Sequence, residues 1–436
     1  TIYVIVLHPA LEELLGGGIY AEYRTDDARL TIEIIKAAER HGAVCLNYVE
    51  VVDFQVENDR LAGLICEEKL TGERFQIAGK YVVNASGAWV EAVQKLVPTF
   101  PKVSNFRKGR SPQTAENLSG SFKLSERSAP LRNPKLFLSK GVHVVVSHER
   151  LPLRQSVYFD LPDGRMMFAI PRLRATYLGT TDTPFHGNPD HVFAENQDVA
   201  YILEGTNRMF PTAKLTFADV ESTWAGLRPL IYEEGKSASE MSRKDEIFIS
   251  PQGLISIAGG KLTGYRRMAE RVVNLVAGQF KKEQGKVFPA STTDKIPLLA
   301  EPFSSAAEVA VFQKSLEIKV AELGLPTHFA AYLVENYGKD ADKILAQTAQ
   351  VQSALQVLTG LPNRRPDLAL LLAELEYCFE NEMVVKPLDF LERRTGRLNF
   401  NIGSIEPNLD EVLDKFDLTQ EERAAVSKVI FEKNHF

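Results

Sequence analysis

A short strand that runs through a double-glycine turn into a helix sets the tightest limit on how this 436-residue chain can fold. Gly253-Leu254-Ile255-Ser256-Ile257 reads as an apolar strand, and Met268, Val272, Val273, Leu275 and Val276 recur at helical spacing after it. Between them stands Ala258-Gly259-Gly260-Lys261-Leu262-Thr263-Gly264-Tyr265-Arg266. Glycines let the backbone approach a ligand without Cβ clashes, and the first turn of a helix offers free N–H groups and a positive dipole end. Lys261 adds a full positive charge. The segment therefore predicts a site for a cofactor or an anionic ligand. The same residues also suit a tight turn with a surface lysine, because Gly-Gly-Lys is neither a P-loop nor G-x-G-x-x-G.

The rest of the chain divides by pattern. Asp26 or Asp27 can cap a helix that runs to Arg40 and stops at Gly42, with Leu30, Ile34, Ala37 and Ala38 as its apolar face. Residues 44–56, 61–66 and 75–85 read as strands with turns at Asn58-Asp59 and Thr71-Gly72, and a triple glycine leads into a further strand at Ile19–Tyr23. A second β cluster covers 142–147, 155–160, 165–170 and 176–180, punctuated by Pro162-Asp163-Gly164. From about Ile296 the pattern turns helical, and Leu371, Leu372, Leu375 and Phe379 form one amphipathic face. Residues 97–135 stand apart: from Pro101 to Lys135 there are eight Lys/Arg against two Glu and few apolar side chains, which predicts a basic, flexible surface insertion.

Composition excludes several classes. Hydrophobic residues at 44% and charged residues at 25% describe a globular chain of two or three domains. A net charge of −6 gives no global attraction to nucleic acid or to an anionic membrane. Three separated cysteines (Cys45, Cys66, Cys378) argue against a disulfide framework and suit a reducing cytoplasm. His186 and His191 lack metal-ligand spacing, so no metal is expected. No apolar run approaches the length of a membrane span.

Five separated stretches, in order, share one resemblance: Tyr20-Ala21-Glu22-Tyr23-Arg24-Thr25-Asp26-Asp27-Ala28-Arg29-Leu30; Lys140-Gly141-Val142-His143 through Gly179-Thr180-Thr181-Asp182-Thr183; Trp224-Ala225-Gly226-Leu227-Arg228-Pro229-Leu230; the Gly259-Gly260-Lys261 turn; and Phe390-Leu391-Glu392-Arg393-Arg394-Thr395-Gly396-Arg397. Together they resemble the FAD-dependent glycerol-3-phosphate dehydrogenases of aerobic type over about residues 14–95 and 136–436. The resemblance implies a mixed α+β and α/β fold. Its parts are a partial FAD-binding domain of the glutathione-reductase and amino-acid-oxidase kind, an antiparallel β substrate domain and a C-terminal helical domain. The expected division is 1–25 (N-terminal remnant and a substrate-domain strand), 26–96 (partial FAD-binding domain), 97–135 (insertion), 136–244 (substrate domain), 245–297 (C-terminal part of the FAD-binding domain) and 298–436 (helical domain). The family's opening G-x-G-x-x-G unit has no counterpart in the sequence, and the chain is read as lacking that nucleotide-binding unit.

The implied substrate is glycerol 3-phosphate and the implied cofactor is FAD, with hydride passing to flavin N5 and electrons on to quinone at a membrane surface. Peripheral membrane contact and a homodimer are compatible with this picture. Ala85, Ser86 and Gly87, where a strand ends in small residues, together with Gly259, Gly260, Lys261, Leu262 and Thr263, would hold FAD. Arg228 and Arg243 would bind the phosphate, since arginine pairs with such dianions bidentately. His143, a polar ring in an apolar strand, is either a satisfied core residue or the acceptor of the C2 hydroxyl proton. Lys261 would stabilise negative charge on reduced flavin or on a developing alkoxide. Thr181-Asp182-Thr183 reads as a structural turn. Tyr23 and Arg24 are open between a strand-edge role and the substrate cavity. Two other readings compete: a related flavin oxidase of an amine or hydroxy acid, and a non-catalytic remnant that binds no FAD.

Overall fold

The computed structural model describes residues 2–6, 17–21, 24–98, 135–235, 241, 244–359 and 365–434. The expected insertion falls almost wholly outside them, as do Tyr23 and Arg243.

Long alternating strands build the largest layer. β7 (Leu136–Ser147) carries β12 (Val220–Ile231) along one edge, while β10 (Ala175–Gly179) and the short β11 (Thr183–Pro184) share the other. The sheet continues through β9 (Met166–Arg172), β8 (Ser156–Asp160), β1 (Ile2–Val6) and β2 (Gly17–Ala21), antiparallel except where β1 meets β8. Alternation along these strands separates two faces. Val142, Val144 and Val146 join Phe159, Met167, Ala169 and Leu178 beneath α3 (Asn196–Met209), which contributes Val199, Ile202 and Leu203. Lys140 lies on that helix-covered side, held by Asp198 at 2.8 Å and Glu195 at 2.7 Å. The opposite face carries Ser139, Gly141 and His143 beside Trp224, Gly226 and Arg228, paired residue for residue.

Two smaller sheets follow. β3 (Val49–Glu57), β4 (Arg60–Glu68) and β5 (Arg74–Ala78) form a meander; Asn58 and Asp59 both take positive φ, as a two-residue hairpin turn requires. The expected strand from Val44 starts only at Val49, after Tyr48 adopts a φ of 55°. The expected strand 75–85 is two strands. The chain leaves the meander at Gly79, and β6 (Val83–Asn84) pairs in parallel with β14 (Ile255–Ala258), itself antiparallel to β13 (Glu246–Ile249). α2 (Val90–Lys95) and α4 (Tyr265–Gln284) pack against this third sheet; Val272 and Leu275 meet Ile249, Ile255 and Ile257. Val273, expected in that apolar stripe, is instead 60% exposed and lines a cavity.

The C-terminal region is helical: α5 (Ala306–Glu322), α6 (His328–Tyr337), α7 (Ala341–Thr359), α8 (Pro366–Asn381), the short α9 (Arg397–Phe400) and α10 (Leu409–Leu413), and α11 (Gln420–Asn434). Leu316, Leu333, Ile344, Leu371 and Leu375 anchor its core. Each such buried side chain stabilises by about 1.5–3 kcal/mol. Phe379 does not join this core; it is exposed and meets Phe416.

α1 (Asp27–Arg40) is capped by Asp26, whose carboxylate accepts the Arg29 N–H at 2.9 Å. Its buried face is Arg29, Ile32, Glu33 and Ala37; of the expected set Leu30, Ile34, Ala37 and Ala38, Ala37 alone is buried. The reason is the partner: Arg29 donates to both oxygens of Glu382, at 2.5 and 3.0 Å, and to Glu33 at 2.7 Å. A charged stripe thus docks α1 on the helical region.

Candidate functional site

Arg228 sits where β12 crosses from the large sheet toward the glycine turn. Its guanidinium donates to Thr180 Oγ1 at 3.0 Å and to the Thr181 carbonyl at 3.2 Å, and it lies 3.7 Å from Asp182. Asp182 in turn accepts the Ser139 hydroxyl. Thr181 is buried and bridges back to β7, accepting the Val142 N–H at 3.0 Å and donating to the Lys140 carbonyl at 3.3 Å. The Thr181-Asp182-Thr183 turn therefore has its structural role and also brackets the arginine. Gly141 makes the bracket possible: a Cβ there would stand 2.3 Å from Arg228 Nη1 and 2.6 Å from Cζ.

His143 follows two residues along the same face. Its ring stacks on Trp224 (4.6 Å between centroids, 10° between planes) and sits near Phe168 and Tyr177. Gly179 opposes it on β10, where a Cβ would meet His143 Cδ2 at 2.5 Å. Nδ1 is buried and has no hydrogen-bond partner among the described residues. A buried polar atom left this way is costly unless a ligand pairs with it. Burial first, and the Arg228 charge second, push the imidazole down from its ordinary 6.5 to about 3. The ring is therefore neutral at physiological pH.

Beyond Arg228 opens a cavity of about 850 Å³. Leu227, Arg228, Pro229, Ala85, Gly259, Gly260, Lys261, Leu262 and Tyr265 line it, with apolar walls from Val83, Ile257, Met268 and Val272. Gly259 and Gly260 take φ values of 82° and 84°, a left-handed backbone that L side chains resist. No side chain caps the start of α4; a 3-10 turn leads into it, with the Gly264 N–H donating to the Lys261 carbonyl at 2.9 Å and the Tyr265 N–H to that of Leu262. Lys261 is exposed at the rim rather than enclosed.

The structure thus brings Arg228, Lys261, Ala85, Gly259, Gly260 and Leu262 onto one cavity and sets His143 against Arg228. Ser86, Gly87 and Thr263 stand outside the cavity lining: Ser86 donates to Asn84 Oδ1 at 2.6 Å, and Gly87 opens the turn into α2. Arg24 is turned away, bonded to the Pro171 carbonyl at 3.0 Å and to Glu335 at 2.9 Å. Sequence reasoning gives no role to Gly141, Gly179, Thr180 or Trp224. Period-two alternation back from Arg228 reaches Gly226 and Trp224 and is the signal that flags the tryptophan. Among the described residues no cluster of His, Cys, Asp and Glu could hold a metal ion, and no helix is long and apolar enough to cross a membrane.

Two known protein families match the chain. A family described as FAD dependent oxidoreductase matches residues 5–120 and 114–266, and one described as the C-terminal domain of alpha-glycerophosphate oxidase matches 291–419. The chain belongs to the FAD-dependent oxidoreductase family. Similar proteins named aerobic glycerol-3-phosphate dehydrogenase occur in Staphylococcus haemolyticus (40% identical over 409 residues) and Bacillus subtilis (39% over 401). Each alignment covers 92% of this chain but 65% of the relative, so the chain spans just under two thirds of their length. The crystal structure of a glycerol-3-phosphate dehydrogenase from Bacillus halodurans complexed with FAD is 38% identical, with a TM-score of 0.77 over 99% of this chain and 81% of that one. The architecture agrees with the expected class: mixed α and β, a mainly antiparallel sheet, and a helical C-terminal domain. The cavity walls are largely apolar, and Lys261 stands at the rim.

Proposed function

We propose that this chain supplies the substrate face and part of the FAD cradle of an enzyme that oxidises sn-glycerol 3-phosphate at C2 to dihydroxyacetone phosphate. The observation that carries the reading is a bracketed arginine and an unprotonated histidine on one sheet face, joined to an apolar cavity edged by a lysine. Arg228 binds the phosphate through its two-pronged donor edge, and Arg243 is the second candidate for that dianion. Neutral His143 takes the C2 hydroxyl proton on Nδ1. Lys261 stabilises the negative charge that grows as the C–H bond breaks. FAD, held by Ala85, Ser86, Gly87 and the 259–263 turn, would supply the hydride acceptor. Quinone is the proposed electron acceptor, reached by peripheral contact with a membrane. The short run between Leu230 and Ile247 supports this over oxygen, because the resembling oxidases carry a long insertion there.

The test is anaerobic mixing of the FAD-loaded protein with glycerol 3-phosphate. Flavin absorbance at roughly 450 nm should bleach, and dihydroxyacetone phosphate should form in equal amount. A protein that takes up FAD and is not bleached would end the substrate assignment. One that takes up no FAD would support a non-catalytic role for the chain.

A further inference from the structure

The helical region reaches into the candidate site at one point. α9 ends in Asn399-Phe400, and both backbone carbonyls are pinned to the large sheet: Ser222 Oγ donates to Asn399 at 2.5 Å, and Arg174 Nη1 donates to Phe400 at 3.1 Å. The Phe400 ring stands edge-on to Trp224 (5.3 Å, 66°) and to Tyr177 (5.8 Å, 68°). On its other side the Arg172 guanidinium lies 4.0 Å from the ring centroid and pairs with Asp26 at 2.5 Å. Trp224 is pressed flat on His143, and Gly179 leaves no free volume behind the imidazole. The order of contact is therefore Arg172, Phe400, Trp224, His143.

We propose that Phe400 is a positioning residue: it wedges the Trp224 indole against His143 and so fixes the plane of the imidazole and keeps water from it. This rests on the reading of His143 as the proton acceptor. A ring that can rock loses alignment with the C2 hydroxyl, and proton transfer is sensitive to such geometry. Aromatic edge-to-face contacts are weak singly, but here the wedge is locked from both sides, by Arg172 with Asp26 and by the pinned carbonyls. The charged and titratable groups around the imidazole are Arg228 on β12, Asp182 behind it, Tyr177 on β10 and Arg172 beyond Phe400. Changing Phe400 removes none of these groups; only Arg172 loses a contact, and its pair with Asp26 remains.

The chain has two tryptophans, and Trp89→Phe leaves Trp224 as the single indole reporter. A stacked imidazolium quenches indole emission, so titrating emission reads His143 protonation directly, without FAD or substrate. In the Trp89→Phe background the emission should be flat from pH 7.5 down to about 4, because burial holds the ring neutral. Phe400→Ala should admit water and bring a quenching step into that window, a rise of at least about one pH unit toward the ordinary histidine value. His143→Gln in addition should abolish the step. Phe400→Tyr should restore the flat profile, and Phe400→Leu, which keeps most of the volume, should show a smaller rise. In the FAD-loaded enzyme, Phe400→Ala should lower kcat roughly tenfold or more with KM little changed, as for an interaction felt at the reacting centre.

A folded Phe400→Ala protein with lowered Tm but a flat titration would overturn the proposal, since a merely structural wedge would do that. If Phe400→Ala does not fold, a flat titration in Phe400→Leu overturns it equally. Full activity in His143→Gln would remove the proton-acceptor reading, while the titration would still decide whether Phe400 holds the ring.

Discussion

Gly141→Ala tests the arginine bracket without touching the arginine. The backbone of Gly141 is not in the left-handed region, so alanine costs nothing in φ, and in a strand it should gain about 0.5–1 kcal/mol over glycine. The new methyl, however, would stand 2.3 to 2.6 Å from three guanidinium atoms. Backbone cannot give way there, because β7 is paired on both edges at that level of the sheet. The side chain must swing out and abandon its bonds to Thr180 and Thr181. Losing a charge-assisted two-pronged contact costs about 1.5–3 kcal/mol, which is a roughly 10- to 150-fold weaker hold on the phosphate. Calorimetric titration of the FAD-loaded enzyme with glycerol 3-phosphate should show that loss while Tm stays level or rises. In an Arg228→Ala background the same alanine meets no guanidinium and should add almost nothing, a coupling that a double-mutant cycle reads directly. Unchanged affinity in Gly141→Ala, or an equal loss with and without Arg228, would refute the reasoning.

Three further outcomes follow from other contacts. Glu382→Gln removes the two-oxygen partner of buried Arg29 and leaves it Glu33 alone, so it should cost about 1.5–3 kcal/mol in urea unfolding; a change under about 1 kcal/mol would mean the pair is screened. His143 has a folded value near 3 against an ordinary 6.5, so the unfolded chain binds the extra proton between them. Its contribution to stability is fully present above about pH 6.5 and falls by about 1.4 kcal/mol per pH unit as pH drops toward 3; the urea midpoint difference between wild type and His143→Phe, followed against pH, should trace that slope. Lys261→Met should retain FAD but slow flavin reduction by roughly 10- to 100-fold. That is less than the 10²–10³ of an enclosed donor because Lys261 is exposed at the rim, and wild-type rates by rapid mixing would reduce it to a surface residue.

Local rules carry much of the fold. The Asn58-Asp59 hairpin, the Asp26 cap, the Gly42 stop and the strand–turn–helix around Gly259-Gly260 stand where turn chemistry and periodicity put them. Pattern fails where tertiary partners override it. Periodicity gives α1 the buried face that minimises exposed apolar surface, but Arg29 is buried because Glu382, far along the chain, accepts from it, and Glu33 is buried with it because Arg29 donates to that carboxylate as well. Residues 75–85 look like one strand because Tyr81, Val82 and Val83 prolong the apolar run. The chain nevertheless changes sheets there, since Val82 is needed in the core with Phe54 and Leu61 and its carbonyl is claimed by Ile255 at 3.1 Å.

The candidate site divides along the same line. Lys140 and His143 stand three residues apart in one motif, and that odd spacing on a strand sends them to opposite faces. That much is readable without coordinates, and it separates a lysine that anchors α3 from a histidine that faces the site. What the spacing cannot supply is register. Only the pairing of Ser139 with Arg228, and of His143 with Trp224, puts the guanidinium over Gly141 and the indole over the imidazole. One residue of slip would have moved both to the helix-covered side. Phe400 is further removed still, because nothing in Arg397-Leu398-Asn399-Phe400 distinguishes it from an ordinary core aromatic. Its place depends on the helical region docking through Ser222, Arg174 and the Arg29–Glu382 pair. The helical region is therefore coupled to the sheet face that holds His143, and a change confined to that docking surface should register at the imidazole.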